Sequence, residues 1–417
     1  MKKTWIRFDL VLKYHSRLSF YLRGKKDRVR KMKFIKSLLI SLFIVGTTAF
    51  GFEGEQKWTT VATYDNEIAD GVILNEKYSG GHPKILDYVF VRTRTANLRE
   101  QPNTKSKVIK KFNYDTKLIA LEKIYDYGNY WYKVKATTGE EGYISSTVVR
   151  KRMFRFEKAL DKIKELEKFI VTEMEEGREI VSTNSYVPNP NNVNFKREKD
   201  KYGTSLDQNI VGYYGDERIF VPDRSILSIL EKGATTSKVK VASIKEPLVI
   251  ENKRISRNPK ISKDFRKVIA IDIENQNMIV FEKNNDVWEV VSYVYSKTGI
   301  ESELGFETPK GFFIAPMAKY IMPYNSEVGE KQGYARYAIR FSGGGYLHGT
   351  PINYEEETNR EFFMRAKEKT LGTFTGTRKC IRTTEPHAKY LFEWMVKNPN
   401  KNRNEQVPSE NVMFVIF

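Results

Sequence analysis

The sequence predicts a mainly β protein of several domains, with a small barrel, a connector helix and a larger C-terminal β domain. Three observations carry that expectation. Residues 88–150 alternate short runs rich in β-branched and aromatic residues with turn chemistry, residues 153–178 switch to a helical period, and from Lys267 strand-type alternation resumes and runs to the last residue. A chain of 417 residues, 40% hydrophobic and 13% aromatic, has ample material for packed cores and is not of disordered composition. Its length suggests roughly two to four domains.

The formal net charge of +19 bears on partners rather than on fold. Nucleic acid, an anionic membrane face and an anionic cell-wall polymer all fit it. The N-terminus narrows the choice. Residues 1–36 are dense in Lys and Arg, and an uncharged stretch, SLLISLFIVGTTAFGF (Ser37–Phe52), follows. That stretch is shorter than the ~20 residues of a comfortable membrane span. Ala49 and Gly51 place small residues at a cleavage site. Residues 1–51 therefore read as a basic n-region and signal peptide. The n-region is long, and MKFIKSLLISLF would be an ordinary signal by itself, so Met32 is a candidate initiator. The competing reading is an uncleaved membrane anchor. Both place the bulk of the chain outside the cytoplasm, in the periplasm or cell wall, with no nucleic-acid partner and the membrane engaged only transiently through the signal. No cysteine follows the apolar stretch closely, which excludes lipoprotein anchoring.

Residues 52–87 are polar, glycine-dotted and aperiodic, and are expected to form a linker. Over 88–150, the runs YVFVRT, KLIALEKIY, YWYKVKA and GYISS are strand-like, and QPNTKS, YGN and TTGEEG separate them. ANLREQPNTKSKVI followed by WYKVK and EGYI resembles the bacterial SH3 domain, which implies binding to cell-wall peptide or to another protein. In 153–178, Phe156, Leu160, Ile163, Leu166, Ile170 and Met174 recur at three and four, and Gly177 is a stop signal. This is a connector helix, with a coiled-coil dimer as the alternative. Further on, REQPNTKSKV (Arg99–Val108) lines up with LEKGATTSKV (Leu230–Val239). Residues 211–250 read either as a degenerate second SH3-like unit or as a chance likeness of two strand–turn–strand segments.

The chemistry of the chain centres on one thiol. Cys380 is the single cysteine, set among Arg378, Lys379 and Arg382 in LGTFTGTRKCIRTTE. Exported domains use cysteines in pairs. One cysteine leaves an intermolecular bond, an inert buried thiol or a reactive one, and neighbouring cations favour thiolate. Of the four histidines, His15 lies in or before the signal, His82 in the linker and His387 on a predicted helix. His348, between Gly345 and Gly349, is the best candidate base; its alternative is a hydrogen-bonded structural histidine at a strand end. One cysteine and scattered histidines supply no metal-ligand cluster, so neither metal nor other cofactor is expected.

Three stretches in order carry a second resemblance. SKTGIESELGFETPKGFFIA, YLHGT and GTRKCIR resemble the glycine turn and TPxGxF strand, the histidine strand and the cysteine signature S/T-H-G-C-[IV]-[RN] of the L,D-transpeptidase (YkuD) family, over residues 266–417. The resemblance implies a mixed β-sandwich. The fold class expected for the whole chain is then mainly β: SH3-like small barrel(s), a connector helix and a C-terminal L,D-transpeptidase-type sandwich with an inserted helix. It also implies an acyl-enzyme on cysteine formed with a peptidoglycan tetrapeptide stem, release of D-Ala, and transfer of the acyl group to an amine of a neighbouring stem. By position it makes Cys380 the nucleophile and His348 the general base. Gly349 follows the histidine as in the family, and Thr377 takes the signature Ser/Thr place. Arg382 follows Cys-Ile and suits a substrate carboxylate as a bidentate fork. The backbone N–H groups of Cys380 and Lys379 are the candidate oxyanion donors.

Two departures stand out. Arg378 and Lys379 replace the signature His-Gly, and His348 and Cys380 lie further apart than is usual in the family. The extra residues read as an inserted helix, with Asn353 as N-cap, Glu355, Glu356 and Glu357 in its first turn, Lys367 and Lys369 in its last, Gly372 as stop, and Phe362, Phe363 and Ala366 as its apolar face. It would be a lid or acceptor-site wall, or else a surface decoration. The alternatives to a transpeptidase are an L,D-carboxypeptidase using water as acceptor and a catalytically inactive peptidoglycan-binding scaffold.

Overall fold

The computed structural model describes residues 58–186, 197–206, 208–302, 305–326 and 329–417. The signal expected over 1–51 lies outside them. Among the described residues no helix is long and apolar enough to cross a membrane.

The first barrel has seven strands in chain order: Asp87–Val91, Thr95–Arg99, Val108–Asn113, Lys117–Asp126, Asn129–Lys135, Glu141–Ser145 and Val149–Met153. Inward positions alternate along them, and Val89, Leu98, Leu118, Val134 and Ile144 close its core. The segment 52–87 is not the linker its sequence suggests. From residue 58 it is paired chain: Thr59–Thr63 adds an antiparallel strand beside Lys117–Asp126, and Ile73–Leu74 pairs parallel with Val287–Tyr295 of the C-terminal domain. An edge strand that is mostly exposed and a strand of two residues leave no apolar alternation to read.

A second barrel spans Ile180–Ser256, wider than the 211–250 expected. Its strands are Ile180–Thr183, Asn209–Tyr214, Glu217–Pro222, Ile226–Lys232, Thr236–Val241, Pro247–Glu251 and Ile255–Ser256. Numbered in chain order, both sheets run third, second, sixth, fifth, fourth, first, seventh. The second barrel repeats the topology of the first around its own core of Val181, Ile210, Leu227, Val239 and Leu248. The sequence echo nevertheless joined the wrong pieces. Arg99–Val108 links strands two and three of the first barrel, whereas Leu230–Val239 links strands four and five of the second.

Between the barrels runs helix α1, Phe156–Glu175. Phe156, Ile163, Leu166 and Ile170 are buried as the period predicts. The helix is no free rod. Its apolar stripe joins Val268, Ala270, Phe281, Phe312 and Val415 in one cluster on the face of a C-terminal sheet. Glu173, which is also buried, receives hydrogen bonds from Arg178, Lys240 and Ser228, tying the helix to the second barrel.

The C-terminal domain is a mixed β-sandwich. One sheet runs Ile73–Leu74, Val287–Tyr295, Asn277–Asn284, Lys267–Asp272, Val412–Ile416, Gly311–Ile314. The other runs Ile381–Arg382, Gly345–His348, Lys331–Ser342, Ala318–Asn325, Glu405–Gln406, with Ile352–Asn353 beside Lys331–Ser342. Lys267–Asp272 is parallel to Val412–Ile416, and Gly345–His348 is parallel to Ile381–Arg382. Ile269, Val280 and Phe414 from the first sheet share a core with Phe341, Leu347 and Ile381 from the second and with Leu391 and Phe392 of helix α3, Glu385–Met395.

The insertion forms a 3-10 turn, Tyr354–Asn359, running into helix α2, Arg360–Glu368, with Asn353 and Glu356 as a capping box. Its expected apolar face is not buried: Phe362 is 67% exposed and no residue of α2 is fully covered. Polar contacts hold it instead. Lys367 Nζ donates to the Pro351 carbonyl at 3.0 Å, Thr350 Oγ1 donates to Glu368 at 2.8 Å, and Arg360 pairs with Glu385.

Candidate active site

The parallel pair Gly345–His348 and Ile381–Arg382 builds the site. Leu347 lies opposite Ile381, and His348 opposite Arg382. Side chains alternate across a strand, so Leu347 and Ile381, both fully buried, face the sandwich core. Tyr346, His348 and Arg382 then share the other face, and Cys380 enters the strand on that side. The order in sequence becomes one surface: thiol, imidazole and guanidinium along two neighbouring strands.

His348 is 4% exposed, and its Nδ1 lies 2.6 Å from the Gly349 carbonyl. A carbonyl only accepts, so Nδ1 carries the proton and Nε2 the lone pair. Burial pushes the imidazole down to about 4, with the Gly349 carbonyl opposing and the Arg382 charge reinforcing the shift. Gly349 sits where a side chain would collide with the first turn of α3: a Cβ there would lie 2.9 Å from the Glu385 Cα.

Cys380 is partly exposed, and its Sγ lies 3.9 Å from the Gly344 carbonyl, which accepts the thiol proton. Burial raises the thiol pKa; the Tyr346 backbone N–H and the charges of Arg382 and Lys379 oppose the rise. Both shifts favour the uncharged forms, thiol and imidazole. Arg382 is drawn down from its ordinary range by burial. Its backbone pairs with Lys297 in both directions, and its buried Nε has no hydrogen-bond partner among the described residues.

Thr377 closes the cysteine turn, its hydroxyl donating to the Cys380 carbonyl. Arg378 is exposed at the tip. Lys379 is 2% exposed at φ +109°, a conformation that disfavours any side chain. Its carbonyl accepts from Thr308 Oγ1 at 2.8 Å, and that oxygen accepts the Gly299 N–H at 2.7 Å. The threonine of TPKG therefore joins the glycine turn at Gly299 to the cysteine turn.

Both barrels reach this loop. Tyr88 of the first barrel donates to the Gly372 carbonyl at 2.6 Å, and Phe90 and Tyr114 pack on Phe374 at 4.8 and 5.4 Å. At the other end, Tyr186 and Gln208 lie against the Gly343–Gly344 turn: a Cβ on Gly343 would meet Tyr186 at 2.4 Å, and one on Gly344 would meet Gln208 at 2.6 Å. The motifs gave no sign of Tyr186, Gln208 or Asp223. Thr308 was visible only as part of a motif. His387 and His82 are elsewhere: His387 lies 3.0 Å from Ser292 Oγ, and His82 stacks on Tyr293 at 4.5 Å. No group of potential metal ligands occurs among the described residues.

The fold is thus two small barrels on a mixed sandwich, with a cysteine immediately before one strand and a histidine on the parallel strand beside it. The family comparisons agree with the motifs. The bacterial SH3 domain model matches residues 94–150, and the L,D-transpeptidase catalytic domain (YkuD) model matches residues 266–402. Residues 94–150 thus resemble a bacterial SH3 domain and residues 266–402 a YkuD-type L,D-transpeptidase catalytic domain, in that order. No curated protein matches it. Among solved structures, a fused Zn-dependent amidase/peptidase/peptidoglycan-binding protein of Clostridium acetobutylicum is 15% identical over 38% of this chain and 55% of that one, with a TM-score of 0.24. An L,D-transpeptidase of Stackebrandtia nassauensis is 15% identical over 39% of this chain and 60% of that one, TM-score 0.24. L,D-transpeptidase 1 of Mycobacterium tuberculosis is 14% identical over 59% of this chain and 90% of that one, TM-score 0.23. The chain therefore spans a little over half the length of the first two structures.

Proposed function

We propose that the protein is an exported L,D-transpeptidase that crosslinks peptidoglycan. The observation that carries this reading is the shared face of Cys380, His348 and Arg382 on adjacent parallel strands, in a domain matched by the transpeptidase model. In the proposed step, His348 Nε2 takes the Cys380 proton and Sγ attacks the carbonyl that joins the stem's third residue to D-Ala. The C–N bond breaks, D-Ala leaves as the amine with the proton returned by His348, and a thioester remains on Cys380. An amine of a neighbouring stem then attacks the thioester, forms the crosslink amide and restores the thiol. The Cys380 and Lys379 N–H groups stabilise the oxyanion, and Arg382 receives a substrate carboxylate. The first barrel contributes binding to the wall.

A synthetic tetrapeptide stem tests this. The expected result is an intact-mass adduct equal to the stem less D-Ala, absent from Cys380→Ala, with crosslinked dimer when a second stem is added. Trimmed tripeptide without crosslinks would replace the transpeptidase by a carboxypeptidase. No adduct and no D-Ala release would leave a wall-binding scaffold.

A further inference from the structure

The motif comparison leaves one residue without an account: a lysine where the signature has glycine, buried, and in a conformation that favours glycine. Lys379 Nζ lies 2.5 Å from the Gly343 carbonyl and 3.5 Å from the Gln208 carbonyl of the second barrel. The next carbonyl in that turn, Gly344, is the acceptor of the Cys380 thiol. The turn is closely packed: a Cβ at Gly343 would meet the Tyr186 ring, and one at Gly344 the Gln208 side-chain amide.

Asp223, fully buried on the second barrel, has Arg340 and Arg224 as its direct partners, and its charge also favours the Lys379 ammonium. It pairs with Arg340 at 2.7 Å, and its other oxygen has no hydrogen-bond partner among the described residues. Burial draws the Lys379 ammonium down to about 8, Asp223 and Cys380 oppose that shift, and Arg340 adds to it. A lysine held at positive φ with its charge buried is costly, and such strain persists where surrounding contacts over-determine it.

We infer that Lys379 is a positioning residue for the nucleophile: its ammonium, held by the Gly343 carbonyl and by the Gln208 carbonyl of the second barrel, fixes the glycine turn whose Gly344 carbonyl orients the Cys380 thiol. The second barrel is then part of the active-site wall, in a role that wall binding does not require. The inference rests on Cys380 being the nucleophile.

Full-length wild type, Lys379→Met, Lys379→Gly and Asp223→Asn are compared in two assays. One is D-Ala release from the tetrapeptide stem, read as kcat and KM. The other is iodoacetamide alkylation of Cys380 against pH, in which Arg382, Lys379 and Tyr346 act on the thiol with His348 on the same strand face, Asp223 and Arg340 act on the lysine, and Arg224 lies against Asp223. Lys379→Met is expected to lower kcat about tenfold or more with KM within about threefold, because orientation rather than binding is lost. At pH 7, where the Lys379 ammonium is charged, the alkylation rate should fall about threefold or more as a neighbouring cation disappears.

Lys379→Gly separates the ammonium from mere tolerance of the turn. It relieves the backbone strain, so a purely structural lysine would leave kcat unchanged or improved, whereas the inferred role lowers kcat as in Lys379→Met. Asp223→Asn should move both readouts in the same direction by less. Wild-type kcat and wild-type alkylation rate at pH 7 in Lys379→Gly would overturn the inference even if Lys379→Met failed to fold. Failure of the transpeptidase reading would show separately, as absence of D-Ala release from wild type. The alkylation rate then decides the positioning role by itself.

Discussion

His387 gives a prediction whose size follows from its surroundings. The ring is fully buried in α3, with Nε2 3.0 Å from Ser292 Oγ, Nδ1 3.4 Å from Thr383 Oγ1, and the Tyr78 ring edge-on at 4.9 Å. Burial drives it down to about 3, and His82 adds to the shift. The folded chain therefore refuses a proton that the unfolded chain takes up near pH 6.5. Stability from this group is complete above pH 6.5 and is lost as pH falls from there towards 3. Between pH 7 and 5 the loss from this one residue is about 2 kcal/mol, at ~1.4 kcal/mol per unit below 6.5. His387→Gln keeps an amide able to bond Ser292 and removes the titration. Urea unfolding of wild type and variant at both pH values isolates the effect, since other titrating groups cancel in the difference. Wild type should lose about 2 kcal/mol more than the variant over this interval. A difference below about 0.5 kcal/mol would refute a buried neutral imidazole at this position.

Three further outcomes are expected. With the His348 ring held down to about 4, the acid limb of kcat/KM should fall near that pH and not near the ordinary 6.5, over the range in which unfolding controls show folded enzyme. Phe374→Ala, which removes the ring packed between Phe90 and Tyr114, should cost about 2 kcal/mol in urea unfolding and lower kcat more than it changes KM. Arg382→Lys keeps the charge and loses the fork, so KM for the stem should rise about tenfold while Cys380 alkylation stays near wild type; unchanged KM would remove Arg382 from the substrate site.

The readable parts of this protein were those in which neighbours in sequence are also neighbours in space. Helix α1 showed its stripe because Phe156, Ile163, Leu166 and Ile170 recur on one face. The cysteine turn could be found because Thr377, Cys380 and Arg382 lie within six residues. The capping box of the insertion was also local, with Asn353 and Glu356 three apart. The exposure of Phe362 was not: an apolar face is only an offer of burial, and here the ring meets Phe363 of its own helix and stays largely exposed. The second barrel was glimpsed from an echo between non-equivalent hairpins, since strand order is a long-range property and β-type runs resemble one another anywhere in it. Asp223, Gln208 and Tyr186 carry no motif at all. They matter through what lies across from them, more than 100 residues further along the chain.

Strand Val412–Ile416 lies in the sheet between Lys267–Asp272 and Gly311–Ile314, yet it falls beyond the matched residues 266–402. One face of that sheet is covered by α1, and Ile73–Leu74 extends its edge, both from far upstream. The stretch recognisable by descent and the stretch that can fold as a unit therefore have different boundaries. A fragment cut at the edges of the recognisable stretch would keep every motif residue, lose a central strand and expose an apolar face. Inactivity of such a fragment would report on where it was cut and not on the chemistry of Cys380.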